Sequence, residues 1–237
     1  MTDYTKLGFI PFEQVLEESK DGVKSLIVAS GGLDSAYTLW KYYNTCKIKP
    51  VDVHHFNLYP NYATRQPAEE EALRQQCEFL GSDIKVYKTY LDSDIKIPLA
   101  RDFHLAAFLS VNMAMKLKTK YIVIGDEILD GLIRSLPVGL YEEDLAHYEQ
   151  LSFLKEYIKS YTNNHVQLSL NMSSPNVLEE YLKMPKDYLK LAFSCRNPTL
   201  KEFSAIACGN CISCHRNYLL GIKDLLSKQV IFKQKLS

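Results

Sequence analysis

The chain has 237 residues and no run approaching the 18 or so consecutive apolar residues that a membrane-spanning helix requires. It has no excess of charge, since 28 Lys and Arg balance 28 Asp and Glu. A neutral chain carries no basic field to steer a nucleic acid, which argues against that partner and makes a small molecule or a protein the expected one. The opening stretch, MTDYTKLGFIPFEQ, lacks the basic-then-apolar layout of a secretory signal. These absences together give the expectation of a cytoplasmic enzyme or binding protein with no membrane association. Internal repeats and low-complexity tracts are also missing. Cysteine is the exception to this plainness. Four of the six crowd into residues 195–214, which is not how disulfide staples are spread.

Residues 30–35 read SGGLDS and lie between an apolar run, Leu26 to Ala29, and a helical pattern from Ala36 to Tyr43. A buried strand that feeds a Gly-rich turn into a helix start is an anion site. Free backbone N–H groups and the positive end of the helix dipole converge there. Gly31 and Gly32 let a phosphate approach the chain closely, and Ser30 and Ser35 supply hydroxyls. Asp34 can orient a Mg²⁺ that bridges phosphate oxygens. Leu33 completes the loop. It contains no Lys and does not fit GxxxxGK[ST], so it is not a Walker loop. The same residue types could make a simple strand–helix turn, but here strand, loop and helix occur together.

Apolar runs at Ser25–Ala29, Val51–Phe56, Ile84–Tyr90 and Tyr121–Gly125 alternate with helical patterns at Ser35–Tyr43, Pro67–Leu80 and Arg101–Leu117. In the last helix the predicted buried face is Leu105, Ala106, Phe108, Leu109, Met113 and Leu117. Such alternation implies an α/β fold, a doubly wound parallel sheet with helices on both faces. Ligands then bind at the carboxyl ends of the strands, where SGGLDS lies. Residues 12–20 predict a short amphipathic helix ended by Asp21-Gly22, residues 126–145 a long loop, and residues 152–161 and 177–183 further helices. The domain reading is an N-terminal extension (1–23), a nucleotide-binding domain (24–190), and a C-terminal segment (191–237) packed on it. Asp126 and Glu127 close the fourth strand, suited to Mg²⁺ or a base heterocycle, or simply solvated. His54 and His55 are consecutive on a strand and point to opposite faces, which argues against a paired metal site.

Cys195, Cys208, Cys211 and Cys214 are separated by twelve, two and two residues. Two successive C-x-x-C steps let thiolates fold back on one ion, and Gly209 permits the tight knuckle. Four thiolates read as a structural Zn²⁺ site with no open position for chemistry. An iron–sulfur cluster is the competing reading. Arg196 and Arg216 are close enough in sequence to offset the thiolate charge. Cys46 and Cys77 read as core packing.

SGGLDS resembles the PP-loop of the ATP pyrophosphatases, which cleave ATP between the α and β phosphates (the adenine nucleotide alpha-hydrolase-like fold). Combined with SCRNPTLKEFSAIACGNCISCHRN at 194–217, it resembles the 7-cyano-7-deazaguanine synthase family. Arg65 and Glu69 resemble that family's QRHxxE segment, with Gln66 where His is usual. Arg101-Asp102-Phe103 resembles its Gly-Arg-Asn stretch, and IVIGDEILD (122–130) resembles the strand and loop that carry an acid, here Asp130, toward substrate. The chain departs from the pattern after Asp130, where GLIRSLPVGLYEE replaces a YPDC-type segment. It departs again at Asn57, near a position where the family has Asp.

The resemblance implies a ligase that uses ATP, Mg²⁺ and a structural Zn²⁺. A deazapurine carboxylate would attack the α-phosphate, ammonia would displace AMP to give an amide, and further activation would give a nitrile. It implies a homodimer, with Asp34 and Arg101 in the chemistry and Arg65, Glu69, Asp126, Glu127 and Asp130 around the substrate. Arg101 could bind phosphate or the substrate carboxylate bidentately, or cap a helix. Two alternatives stay open. One is a related PP-loop enzyme acting on another carboxylate, base or protein terminus, or stopping at the amide. The other is a non-catalytic binding module, against which the intact Ser30, Gly31, Gly32, Asp34 and Ser35 set argues.

Overall fold

Ser25–Val28 is buried along its whole length, as a strand must be when helices cover both faces of its sheet. It forms β2 of a six-stranded parallel sheet. The computed structural model describes residues 9–59, 65–92, 102–126, 152–172 and 177–233. In chain order these give β1 (Ile10–Pro11), α1 (Phe12–Lys20), β2, α2 (Leu33–Thr45), β3 (Val51–Tyr59), α3 (Gln66–Leu80), β4 (Ile84–Asp92), α4 (Asp102–Leu117) and β5 (Tyr121–Asp126). A helix α5 over 152–161 follows. Then come β6 (Gln167–Met172), α6 (Val177–Leu182), α7 (Lys186–Leu189), β7 (Thr199–Lys201), β8 (Ser204–Ile206), α8 (Ile212–Leu219) and β9 (Gln229–Ile231).

The large sheet has the order β1-β6-β5-β2-β3-β4, and every pairing is parallel. From β2 the chain winds outward through β3 and β4, then returns to β5 on the other side of β2. The winding therefore reverses between β2 and β5, which opens a crevice at their carboxyl ends. Alternation along the central strands divides the core in two. Leu26, Val28, Ile122, Ile124, Leu168 and Leu170 face α4 and α5. Ile27, Val53, Tyr121 and Val123 face α1, α2 and α3. Residues 10–20 belong to this arrangement. β1 pairs with β6 at the sheet edge, and Phe12, Val15 and Leu16 are buried in the second core.

The expected strands and helices are present, with ends shifted by a few residues. α4 buries only part of the expected face: Ala106 is buried and Met113 and Leu117 pack against the core. Ala106, Ala107, Ser110, Val111 and Ala114 lie against the sheet, whereas Phe108 is 49% exposed. A helix that approaches a sheet closely selects small side chains for the contact, so its largest hydrophobes flank the buried line. His54 and His55 do diverge. His54 bonds Ser110 Oγ (2.7 Å) and Thr89 Oγ1 (2.8 Å), and His55 Nδ1 lies 2.9 Å from the Ala29 carbonyl. Residues 127–145, expected as a loop, lie outside the described residues.

The C-terminal region adds a small antiparallel sheet of order β7-β8-β9. It packs on α3 through Ala68, Ala72, Ala205, Val230 and Phe232, in a cluster that includes Cys195 and Cys211. α6 and α7 cover the outer face of α2, where Tyr181, Tyr188 and Leu189 meet Leu33, Ala36 and Tyr37. Among the described residues no helix is long and apolar enough to cross a membrane.

Candidate functional site

Residues 30–35 leave β2 and enter α2 at the mouth of the β2/β5 crevice. Gly31 has φ +88°, and a Cβ there would lie 2.3 Å from the Glu69 carbonyl oxygen and 2.8 Å from the Leu73 nitrogen. Only glycine lets the loop run this close to the α3 backbone. Gln76, fully buried on α3, donates from Nε2 to the Gly31 carbonyl at 2.8 Å, and the Phe193 N–H donates to the same oxygen at 3.1 Å. The loop is also tied to itself. The Ser30 N–H donates to Ser35 Oγ (3.2 Å), Ser35 Oγ donates to the Gly32 carbonyl (3.0 Å), and the Gly32 N–H donates to Ser30 Oγ (3.3 Å).

A helix start leaves its first amides without intrahelical partners. Here one of them, the Leu33 N–H, donates to Ser194 Oγ at 2.8 Å. This hydroxyl comes from a residue 161 positions away and acts as the cap that Gly32 cannot supply. Asp34, in the first turn of α2, accepts a hydrogen bond from Tyr181 Oη on Oδ1 (2.5 Å). Its Oδ2 pairs with Arg216 Nη1 at 3.1 Å, and the two side chains are 23% and 15% exposed. β5 reaches the same point. A Cβ on Gly125 would lie 2.6 Å from the Asp34 carbonyl oxygen, so glycine is what lets α2 cross the end of β5.

These groups surround a cavity of about 180 Å³. Arg65, Glu69, Cys195, Arg196 and Arg216 line it together with Ser30, Gly32, Asp34, Ser35 and Gly125. Arg65 Nε pairs with Glu69 Oε1 at 2.9 Å, and both side chains are largely buried. Among the described lining residues, three guanidinium groups stand against two carboxylates, a set that offers bidentate partners to a phosphate chain. The volume is below the usual few hundred Å³ of a whole nucleotide pocket and matches a phosphate chain better. A larger groove of 850 Å³, bounded by α3, β4, Phe232 and Lys233, contains none of the expected site residues.

The four cysteines do converge. All four Sγ atoms lie within 4.8 Å of one another, with Cys195 and Cys211 buried. The Sγ separations are 3.5 Å for Cys195–Cys208 and 4.0 Å for Cys195–Cys211. Thiolates on one tetrahedral ion with 2.3 Å bonds are about 3.8 Å apart, so the residues fit a single bound ion. Backbone N–H groups point at the sulfurs: Arg196 at Cys211 (3.3 Å), Cys208 at Cys195 (3.2 Å) and Cys211 at Cys208 (3.3 Å). Gly209 has φ +77° with open space around its Cα, so its role in the knuckle is conformational. Burial pushes Cys195 up to about 11 and raises Cys214 as well. Burial acts on Cys211 in the same direction, but the N–H groups of Cys214 and Arg196 outweigh it and bring that thiol down to about 6. Metal binding would release the protons that the raised thiols of Cys195 and Cys214 hold.

Of the residues expected from the sequence, Ser30, Gly32, Asp34, Ser35, Arg65 and Glu69 line this cavity, Gly31 and Leu33 complete the loop, and the cysteines adjoin it through Cys195. The Asp126 backbone ends β5 beside Gly125. Arg101, Glu127 and Asp130 lie outside the described residues. Arg216, expected to offset the thiolates, pairs with Asp34 and lines the cavity beside Cys195. Ser194 and Tyr181 were not foreseen. Their only signal is position: Ser194 immediately precedes the first metal ligand, and Tyr181 lies on a helix that covers α2.

Among solved structures, the chain is similar to the U34-tRNA thiolase NcsA from Methanococcus maripaludis, solved with its 4Fe–4S cluster. The identity is 18% and the TM-score 0.47, over 90% of this chain and 72% of that one. No family model matches the chain, and no curated protein does.

Proposed function

We propose that the chain is an ATP-dependent carbon–nitrogen ligase of the PP-loop type. Its substrate would be a deazapurine carboxylate, 7-carboxy-7-deazaguanine, converted with ammonia to the amide and then to 7-cyano-7-deazaguanine. The observation that carries this reading is the seat of Ser30–Ser35: a glycine-built loop at the sheet's switch point, opening on a cavity lined by Arg65, Arg196 and Arg216.

The chemistry follows from leaving groups. A carboxylate oxygen does not depart on attack by ammonia, but AMP does. The substrate carboxylate attacks the α-phosphorus and pyrophosphate leaves. Ammonia then adds to the acyl carbon and AMP leaves with the former carboxylate oxygen. Repeating the activation on the amide oxygen, with loss of the two nitrogen protons, releases a second AMP and leaves the nitrile. The chain needs only to align reactants and hold charge on phosphate. The Asp34 and Ser35 amides at the start of α2 are the donors for phosphate oxygens, and Arg65 and Arg196 offset the charge. Asp34 would orient the Mg²⁺ that arrives with ATP. Asp126, Glu127 and Asp130 are proposed to accept the row of N–H donors on a guanine-like edge, and Arg101 to hold phosphate or carboxylate.

For the cysteines we propose zinc. Four sulfurs within 4.8 Å suit one ion, whereas a four-iron cluster, with each thiolate on its own iron, needs a wider cage. A homodimer remains part of the proposal. A second reading is favoured by one observation, the departure of GLIRSLPVGLYEE from the family's pocket segment. It is a related enzyme that accepts another acid or stops at the amide. Mass spectrometry of carboxylate, ATP, Mg²⁺ and ammonia with the protein separates these. A nitrile supports the full reaction and a lasting amide the shortened one. Unreacted carboxylate beside ATP-competent protein overturns the substrate.

A further inference from the structure

Three contacts join the nucleotide loop to the cysteine segment, and all come from residues within two positions of a metal ligand. The Phe193 N–H donates to the Gly31 carbonyl at 3.1 Å. Ser194 Oγ accepts from the Leu33 N–H at 2.8 Å, and Arg216 Nη1 reaches Asp34 Oδ2 at 3.1 Å. Phe193 and Ser194 directly precede Cys195. Arg216 is two residues after Cys214, on α8, a helix of eight residues whose N-cap is Cys211.

Both ends of this link lie in short or irregular stretches. Residues 192–195 belong to no helix or strand. A helix as short as α8 is marginal in water unless something outside it holds it. An ion on Cys195, Cys208, Cys211 and Cys214 fixes both ends at once. It therefore fixes the Ser194 hydroxyl under α2 and the Arg216 guanidinium on Asp34. A staple that served only the small β7-β8-β9 sheet would have no reason to touch the loop. Yet Cys195 and Arg196 line the same cavity as Ser30 and Gly32.

We propose that Ser194 and Arg216 are positioning residues that couple the cysteine metal site to the nucleotide site, so that each ligand strengthens the binding of the other. The inference rests on the reading of Ser30–Ser35 as a nucleotide loop. By linkage, the factor by which metal tightens nucleotide equals the factor by which nucleotide tightens metal, in the range of about 5- to 150-fold.

The probe is α,β-methylene-ATP with Mg²⁺, which cannot be cleaved at the bond in question. Its affinity is measured by calorimetry on the metal-loaded and metal-stripped chain, and metal affinity is measured by chelator competition with and without the probe. The two factors should agree in the wild type and fall to near one in Ser194→Ala/Arg216→Met, which keeps every metal ligand. Hydrogen exchange on the loaded protein gives a second readout that does not need the stripped form. The probe should slow exchange over 208–220 in the wild type and not in the double variant. Probe binding with no coupling, or with equal protection in the variant, overturns the inference and leaves the nucleotide reading standing. No probe binding by the loaded wild type overturns both.

Discussion

Gly31 and Gly32 are adjacent, but they are glycine for different reasons. At Gly31 the backbone has φ +88° and a Cβ would strike α3 backbone atoms at 2.3 and 2.8 Å, which cannot step aside. At Gly32 the nearest atoms are the Ser194 and Ser30 hydroxyls, both at 3.3 Å, and hydroxyls can rotate. Gly31→Ala should therefore cost about 1–3 kcal/mol in chemical denaturation, while Gly32→Ala costs well under half as much. Equal costs would show that the loop is not pinned to α3. Burial, and after it His55, pushes His54 from 6.5 down to about 4. A folded value below the unfolded one means that the native state binds fewer protons between those two pH values. Stability from this residue is full above 6.5, falls as pH drops through the interval, and levels off below about 4. The full gap is worth up to about 3 kcal/mol. Urea midpoints measured across that range should fall in the wild type and stay flatter in His54→Gln. The residues that short motifs name, Ser30–Ser35 and the cysteines, were legible in the sequence. Ser194, Tyr181 and the Asp34 contact of Arg216 were not, because each acts across 140 or more positions of chain.

At the scale of elements, legibility followed burial on both faces. β2, β3 and β5 read as apolar runs because helices cover both sides, and α2 and α3 read from their periodicity. β6 (QLSLNM) was missed because its alternating polar residues, including the buried Ser169 and Asn171, break the run. Asn171 is satisfied by Thr38 Oγ1 at 2.8 Å, a partner on α2 that sequence order does not reveal. β7, β8 and β9 span three residues each, too short for any period to register. Their stability has to come from elsewhere, and they share a core with α3, Phe193 and the cysteines. Elemental analysis should find one zinc ion per chain. Chelation should remove protection from 195–233 in hydrogen exchange while the six-stranded sheet keeps its own. Iron with visible absorbance would replace the proposed zinc. Uniform loss of protection would show that the metal holds the whole molecule.

At the scale of the molecule, the order β1-β6-β5-β2-β3-β4 brings the two most informative stretches of sequence together. The loop at 30–35 and the cysteines at 195–214 are far apart in the chain but share one cavity, since the segment after β6 returns over α2 and α3 to the crevice. The same topology puts Gly125, and with it the start of the acidic stretch 126–130, beside Asp34. The proposed reaction requires that ATP be held by this loop and attacked at the α-phosphorus. The measurement that tests it is product analysis of ATP turned over with Mg²⁺, ammonia and 7-carboxy-7-deazaguanine, by wild type and by Asp34→Asn. The wild type should release AMP and pyrophosphate at a rate about 100-fold or more above that of the variant. ADP and phosphate, or AMP formed equally well without the Asp34 carboxylate, would contradict it.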